Sequence, residues 1–484
     1  MRLAVLGFAI AAAGVAHADS HRSLDPTALP SGSASRSAHG ALVEVDAVPF
    51  DGSLVPRVLY LDRCAGNCVI GNTGNDATTN QSTIPQGKTS YTLSAYAFGD
   101  DEWKAVVKCV SDVFSPYDIT VVDTKPDSGT LYDKTFVAGL PSEIGQAADV
   151  LGIAPLAANC AVLTNNVAFA FANQHTPSDR VNNVCWTVSQ ETAHMYGLLH
   201  EFQFTNGDSA CNDPMTYRND CGGEKFFRDR AAQCGDFALA DCKPDCKRTT
   251  QNSDALLLEI FGPHAPTTTP PAVSIVVPAV AGVPVSNGFA VQAKGKAQRG
   301  IARMELVLNG HTWLAVKGTG FGPNGQPEVA YALQFPAKVP DGMIDIQVRG
   351  VDDIGVATLS PAITVTKGAA CTSAATCLEN QRCDAGRCLW DPPTADVGAT
   401  CTYNEACITN ACVGGTCEQP CDPASTSARD VCPGTDVCGS SGGQNVCQPA
   451  ASGGGCCSSS RDGAPQAVLG MFGLALVLGR RRRC

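Results

Sequence analysis

From Asp101 to Ser115 the apolar residues Trp103, Val106, Val107, Val110, Val113 and Phe114 recur every three to four positions, the period of one helix face. Residues 117–123 (YDITVVD) then read as a strand, and residues 166–172 (NVAFAFA) alternate like a second one. Interleaved helix and strand signals over residues 42–262 predict a compact α/β or α+β domain. A Pro/Thr linker, residues 263–271, closes it. Residues 272–367 hold the short runs VSIVV, FAVQAK, MELVLNG, VAYALQF, MIDIQVRG and AITVT, the pattern of an all-β, immunoglobulin-like sandwich. Residues 368–450 have little apolar content and many cysteines, so a disulfide-rich module is expected there. The fold class expected is therefore multidomain: α+β, then all-β, then disulfide-rich.

Length agrees with that division, since 484 residues at roughly 150 per domain suggest about three domains. The formal net charge is −12, and without Arg2 and the four arginines 480–483 the body carries 29 basic against 46 acidic residues. Such a body repels phosphate backbones, so no nucleic-acid partner is expected.

The 25 cysteines point to an oxidising compartment. Ten lie in the first domain and twelve between Cys371 and Cys447, both even numbers, so neither region requires a spare thiol. Cys371, Cys377, Cys383 and Cys388 are spaced C-x5-C-x5-C-x4-C, and nearly the same spacing returns thirty residues later at Cys401, Cys407, Cys412 and Cys417. No histidine lies inside this region, which favours disulfides over zinc. A catalytic cysteine is not expected. Asp352-Asp353 reads as a solvated strand end.

Residues 1–18 combine Arg2, an apolar run and Ala16-His17-Ala18, the arrangement of a cleavable signal peptide. Residues 19–41 are Ser/Gly/Pro-rich and read as a flexible leader. At the other end, residues 451–484 contain a Gly-Cys-Cys stretch, a short apolar run over 467–479 and four arginines. Their order resembles the myxobacterial-type C-terminal sorting tail (MYXO-CTERM). That resemblance implies a short transmembrane segment, processing near Cys456-Cys457, and display at the cell surface or release. The alternative is a permanent C-terminal membrane anchor.

The chemistry concentrates in residues 189–202, SQETAHMYGLLHEF. Gln190 and His194 share a helix face, with Glu191 beside them. Gly197 can take positive φ and let the chain leave the helix, which swings His200 toward the same point. Two imidazoles converging near a carboxylate can hold zinc and an activated water. Asp213-Pro214-Met215-Thr216-Tyr217 follows shortly after.

Together these stretches resemble the metzincin zinc-protease signature, H-E-x-x-H-x-x-G-x-x-H, followed by the family's Met-turn. The resemblance implies His194 and His200 as Zn2+ ligands and Glu191 as the general base. It implies Met215 as the apolar base under the metal, and Tyr217 as oxyanion stabiliser or resting ligand. The first ligand position departs from the pattern, holding Gln190 where the family has His. A neutral carboxamide is a poor zinc ligand. Three arrangements stay open: Gln190 ligates through oxygen, Tyr217 completes the shell, or the metal site has decayed. His175, the other histidine well inside this domain, is not required in the site.

The expectation is a surface-displayed or secreted, monomeric zinc metalloendopeptidase acting on protein or peptide substrates. The alternative is an inactive relative serving as an extracellular binding or adhesion protein.

Overall fold

The computed structural model describes residues 39–45, 55–218, 224–318, 328–423, 427, 432–433 and 436–449. The expected signal peptide and the C-terminal tail lie outside the described residues. Among the described residues no helix is long and apolar enough to cross a membrane.

The first domain runs β1 (His39–Val45), β2 (Val58–Asp62), β3 (Cys68–Gly71), β4 (Ser90–Leu93), α1 (Asp100–Phe114), β5 (Thr120–Val122), β6 (Asp133–Val137), β7 (Val150–Ala157), β8 (Val167–Ala170), α2 (Arg180–Met195), β9 (Glu201–Phe204), β10 (Ala232–Cys234) and α3 (Ser253–Phe261). Six strands form one sheet in the order β1-β7-β8-β6-β2-β5. β5, β2, β6 and β8 are mutually parallel, whereas β7 runs antiparallel to β8. β1 pairs in parallel with the outer edge of β7. The leader therefore ends earlier than its Ser/Gly/Pro composition suggests, because residues 39–41 are already part of that edge strand.

β6 is buried along its whole length, as expected of a strand covered on both faces. Its side chains alternate: Val137 joins the core beneath α1 and α2, whereas Phe136 packs on the opposite side with Tyr60, Phe169 and the β3–β4 hairpin. α1 buries Trp103, Val106, Val110, Val113 and Phe114, and its first turn carries Asp100, Asp101 and Glu102, which complement the helix dipole. Cys109–Cys185 ties α1 to α2 across 76 residues of sequence, a constraint worth on the order of 4 kcal/mol in the chain-entropy account.

Residues 117–123 yield only the three-residue β5, because Tyr117 turns into the core and donates its hydroxyl to Asp254 Oδ1 at 2.8 Å. α3 is a helix that the sequence reading above does not include, although Leu257 and Phe261 stand one helical turn apart. It is held by Asn252, which accepts from the Ala255 amide at 2.9 Å, and by burial of Leu257 and Phe261.

The second domain is a β-sandwich. One sheet is β11 (Ala272–Val277), β13 (Ala290–Lys296) and β16 (Val329–Gln334). The facing sheet contains β12 (Pro284–Val285), β14 (Arg303–Leu308), β15 (His311–Lys317), β17 (Gly342–Val351), β18 (Ala357–Leu359) and β19 (Ile363–Lys367). β17 alternates along most of its length, sending Ile344, Ile346 and Val348 into the core between the sheets.

The reading of Asp352-Asp353 as a solvated strand end is wrong. Asp352 is buried, and the Asp353 side chain, only 8% exposed, is ion-paired with Arg299 and Arg228. Burial alone would raise the Asp353 carboxyl, but the two guanidiniums hold it down at about 2.

Six disulfides lie within the cysteine-rich region, as parity requires. They link Cys371–Cys383 with Cys377–Cys388, Cys401–Cys412 with Cys407–Cys417, and Cys421–Cys438 with Cys432–Cys447. In each set the first cysteine joins the third and the second joins the fourth. The repeat thus has three units, and the wider cysteine spacing of the last hides it in the sequence. In the first domain Cys64–Cys68, Cys109–Cys185, Cys160–Cys246 and Cys234–Cys242 are bridged, and Cys211 is also disulfide-bonded.

Candidate metal centre

α2 lies across β7, β8 and β6, and its last two turns, Val188 through Met195, are buried. Polar side chains so placed must meet each other, backbone or a ligand. Gly197 ends the helix with φ +83°, and a Cβ there would stand 2.1 Å from the Cys160 carbonyl oxygen. Only glycine fits that approach. The chain then reverses, and His200 returns against His194 with ring centroids 4.6 Å apart.

The two imidazoles face each other through Nε2 atoms 3.0 Å apart. The His194 Nδ1–H donates to the Leu198 carbonyl at 2.7 Å, since a carbonyl can only accept. The His200 Nδ1–H likewise donates to Asp236 Oδ1 at 2.6 Å. A neutral ring whose Nδ1 is protonated presents a bare lone pair at Nε2. Two lone pairs at that separation repel unless a cation lies between them. Two imidazoles on one tetrahedral zinc would have nitrogens about 3.3 Å apart, close to the observed spacing. The two nitrogens could share a metal ion, and a shared proton would satisfy the same geometry. Among the described residues the pair belongs to no group of three close His, Cys, Asp or Glu ligand atoms.

Burial, and then His200, pushes the His194 imidazole well below its ordinary range, which keeps it neutral and available as a ligand. Glu191 is fully buried, and neither of its carboxyl oxygens has a hydrogen-bond partner among the described residues. It packs on the β7 backbone, where a Cβ at Gly152 would come within 2.7 Å of Glu191 Oε1. Burial pushes its carboxyl well up. Gln190 donates from Nε2 to the Pro214 carbonyl at 2.8 Å, which leaves its oxygen as the atom a cation would use.

Met215 is fully buried, in one apolar cluster with Val184 and Val188 of α2. Its amide donates to Asp213 Oδ1 at 2.8 Å, and its carbonyl accepts from the Glu201 amide at 2.7 Å. The Tyr217 ring lies 4.2 Å from the His200 ring and stacks on Phe237 at 5.1 Å. Burial, then the Glu191 and Asp236 carboxylates, drives its phenol well above the usual range. Of the sequence-predicted residues, His194, His200 and Tyr217 meet ring to ring, and Gln190 reaches the turn that carries Met215. His175 stands apart, with Nε2 3.4 Å from Thr187 Oγ1 on an earlier turn of α2.

Sequence reasoning missed Asp236. It lies 36 residues from His200, on a loop closed by Cys234–Cys242, and no local pattern marks it. A cavity of 480 Å³ opens beside His200 between that loop, Leu199 and Leu42 of β1. A larger cavity of 650 Å³ separates α1 from the sandwich and includes none of the candidate residues. Among the described residues, the groups of three closely spaced His, Cys, Asp or Glu ligand atoms are Cys371/Cys377/Cys388, Cys401/Cys407/Cys412, Cys421/Cys432/Cys447 and Asp62/Cys64/Cys68. Every cysteine in them is disulfide-bonded, so none offers a thiolate.

No protein-family model matches the chain, and no curated protein matches it. Similar solved structures include fibronectin(III)-like modules of Clostridium thermocellum CbhA, at 20% identity over 20% of this chain and 94% of that one, TM-score 0.15. A Jonesia denitrificans lytic polysaccharide monooxygenase matches at 15% identity over 18% of this chain and 58% of that one, TM-score 0.15. Wild-type OgpA from Akkermansia muciniphila matches at 12% identity over 66% of this chain and 95% of that one, again with TM-score 0.15. Likenesses at such scores carry no argument about fold or activity.

Proposed function

We propose that this chain is an exported, metzincin-like zinc metalloendopeptidase. The observation that carries the reading is the pair of facing Nε2 atoms 3.0 Å apart, each ring having an oxygen acceptor at its Nδ1. His194 and His200 would hold the metal, with the Gln190 carboxamide oxygen or the Tyr217 phenol beside them. Bound zinc would supply an acidified water and polarise the scissile carbonyl. Glu191 accepts a proton and passes it to the leaving amine, and its water-poor surroundings favour the protonated form once the proton has arrived. The Tyr217 hydroxyl donates to the developing oxyanion. An extended peptide adding to the outer edge of β7 must first displace β1, which holds that edge.

A second reading has its own support. Gln190 spends its amide nitrogen on Pro214, and a proton shared by the two imidazoles would also relieve their repulsion. On that reading the chain is an inactive relative that binds a peptide or surface ligand. Elemental analysis of the purified chain, beside a casein cleavage assay with and without chelator, separates the two. Stoichiometric zinc with chelator-sensitive cleavage supports the enzyme; zinc-free, inert protein refutes it. Export and tail-dependent surface display belong to the same proposal. Deletion of residues 467–484 should release an envelope-bound protein into the medium.

A further inference from the structure

The sandwich reaches into the candidate metal centre through a buried charge cluster. Arg228, of the first domain, and Arg299, of the sandwich, are both fully buried. Arg299 grips Asp353 with two nitrogens, Nε at 2.7 Å and Nη2 at 3.0 Å. Arg228 Nη1 reaches the same carboxylate at 2.9 Å. The domains also exchange backbone contacts: Arg228 donates to the Arg299 carbonyl at 3.0 Å, and Arg299 donates to the Phe227 carbonyl at 2.9 Å.

On its other side Arg228 holds the turn beneath the histidines. Its amide donates to Asp213 Oδ2 at 2.8 Å and its Nε donates to the Asn212 carbonyl at 3.3 Å. Asp213 in turn accepts from the Met215 amide, and Met215 accepts from Glu201, the residue after His200. An unbroken line of buried hydrogen bonds therefore runs from the sandwich to the backbone that carries His200.

We propose that Asp353 is a positioning residue of the metal centre, holding the turn 212–217 through Arg228 and making the sandwich a structural part of the site. Loss of its charge would leave two buried guanidiniums without their shared counter-ion, and Arg228 would release the turn. The proposal rests on the zinc reading only for its effect on metal binding.

The test compares the full chain with Asp353→Asn by site-resolved amide exchange and by Co2+ titration followed in visible absorption. Exchange at Glu201, Met215 and Arg228 should speed up by about tenfold or more, while amides of β6 and β14 keep their rates. Co2+ affinity should fall by about tenfold. Asp353→Glu retains the charge and should show a smaller acceleration at the same amides, and it serves as the test protein should Asp353→Asn fail to fold. Unchanged turn amides, or equal acceleration everywhere, would overturn the proposal. So would a loosened turn with undiminished Co2+ affinity. A wild-type chain that takes up no Co2+ sinks the zinc reading alone, because the exchange data still decide whether Asp353 holds the turn.

Discussion

The Gln190 side chain donates to the carbonyl of Pro214, three residues from Tyr217 and one from Met215, so the residue at the expected first ligand position is fastened to the turn that carries Met215. An imidazole there would give up that contact and add a third nitrogen donor. Gln190→His should raise zinc affinity by at least about tenfold. Glu191→Ala should abolish peptide cleavage in either background while zinc stays bound, and His194→Ala should lose both. Elemental analysis with casein cleavage on the three variants checks this, and a Gln190→His protein that remains zinc-free and inert excludes the enzyme.

Asp236 fixes the tautomer of His200. Asp236→Ala should weaken metal binding by about 10–100-fold, because Nδ1–H loses the acceptor that keeps Nε2 bare. Asp236 is exposed, so its removal should leave the melting temperature of the metal-free protein nearly unchanged. A competition titration against a zinc chelator, beside a thermal melt, measures both. Unaltered zinc affinity would show that the carboxylate contributes nothing to the site.

Gly197→Ala should destabilise the first domain by about 2 kcal/mol or more. The position combines φ +83° with the Cys160 carbonyl at 2.1 Å from any added Cβ. Denaturant unfolding reports the loss. A neutral result would mean that the chain can leave α2 by another route.

Asp133 supplies a pH dependence. It is fully buried, its Oδ1 accepts from the Asn166 amide at 2.9 Å, and the Tyr196 hydroxyl lies against the carboxyl. Burial raises its carboxyl from the ordinary range to about 7. Between the unfolded value, about 4, and about 7 the folded state holds a proton that the unfolded chain releases. This group's contribution to stability is therefore complete at acid pH and lost as pH rises through the folded value. Asp133→Asn keeps the acceptor and removes the titration. Relative to wild type, it should gain on the order of 3 kcal/mol between pH 5 and pH 8. Parallel melts at the two pH values test the sign, and an unchanged difference refutes the assignment.

Local spacing made part of this protein legible. Helical periodicity found α1 within a residue at each end, because burial of Trp103, Val106 and Val110 requires that period. Strand alternation located β11, β13, β14, β16, β17 and β19 of the sandwich but not the seven-residue β15. The region of α2 was visible as a set of chemical residues at helix spacing, and Gly197 marked its end. α3 was not read from the sequence, and β5 was read as a longer strand than it is. Their extents depend on partners such as Asp254 for Tyr117, which stand 137 residues away in the chain.

By itself the sequence determined which side chains could meet within a turn or two: Gln190, Glu191 and His194 along one helix, His200 after a glycine break, and cysteines in even numbers. Tertiary structure alone decided what each of these groups faces. It set Asp236 against His200 and buried Glu191 on Gly152. It drew Asp353 into a cluster with Arg228, 125 residues earlier, where the sequence had suggested an exposed strand end. The reason is physical. Backbone geometry dictates neighbours at short separation, whereas burial and the pairing of charge between distant segments exist only once sheets, helices and domains have packed.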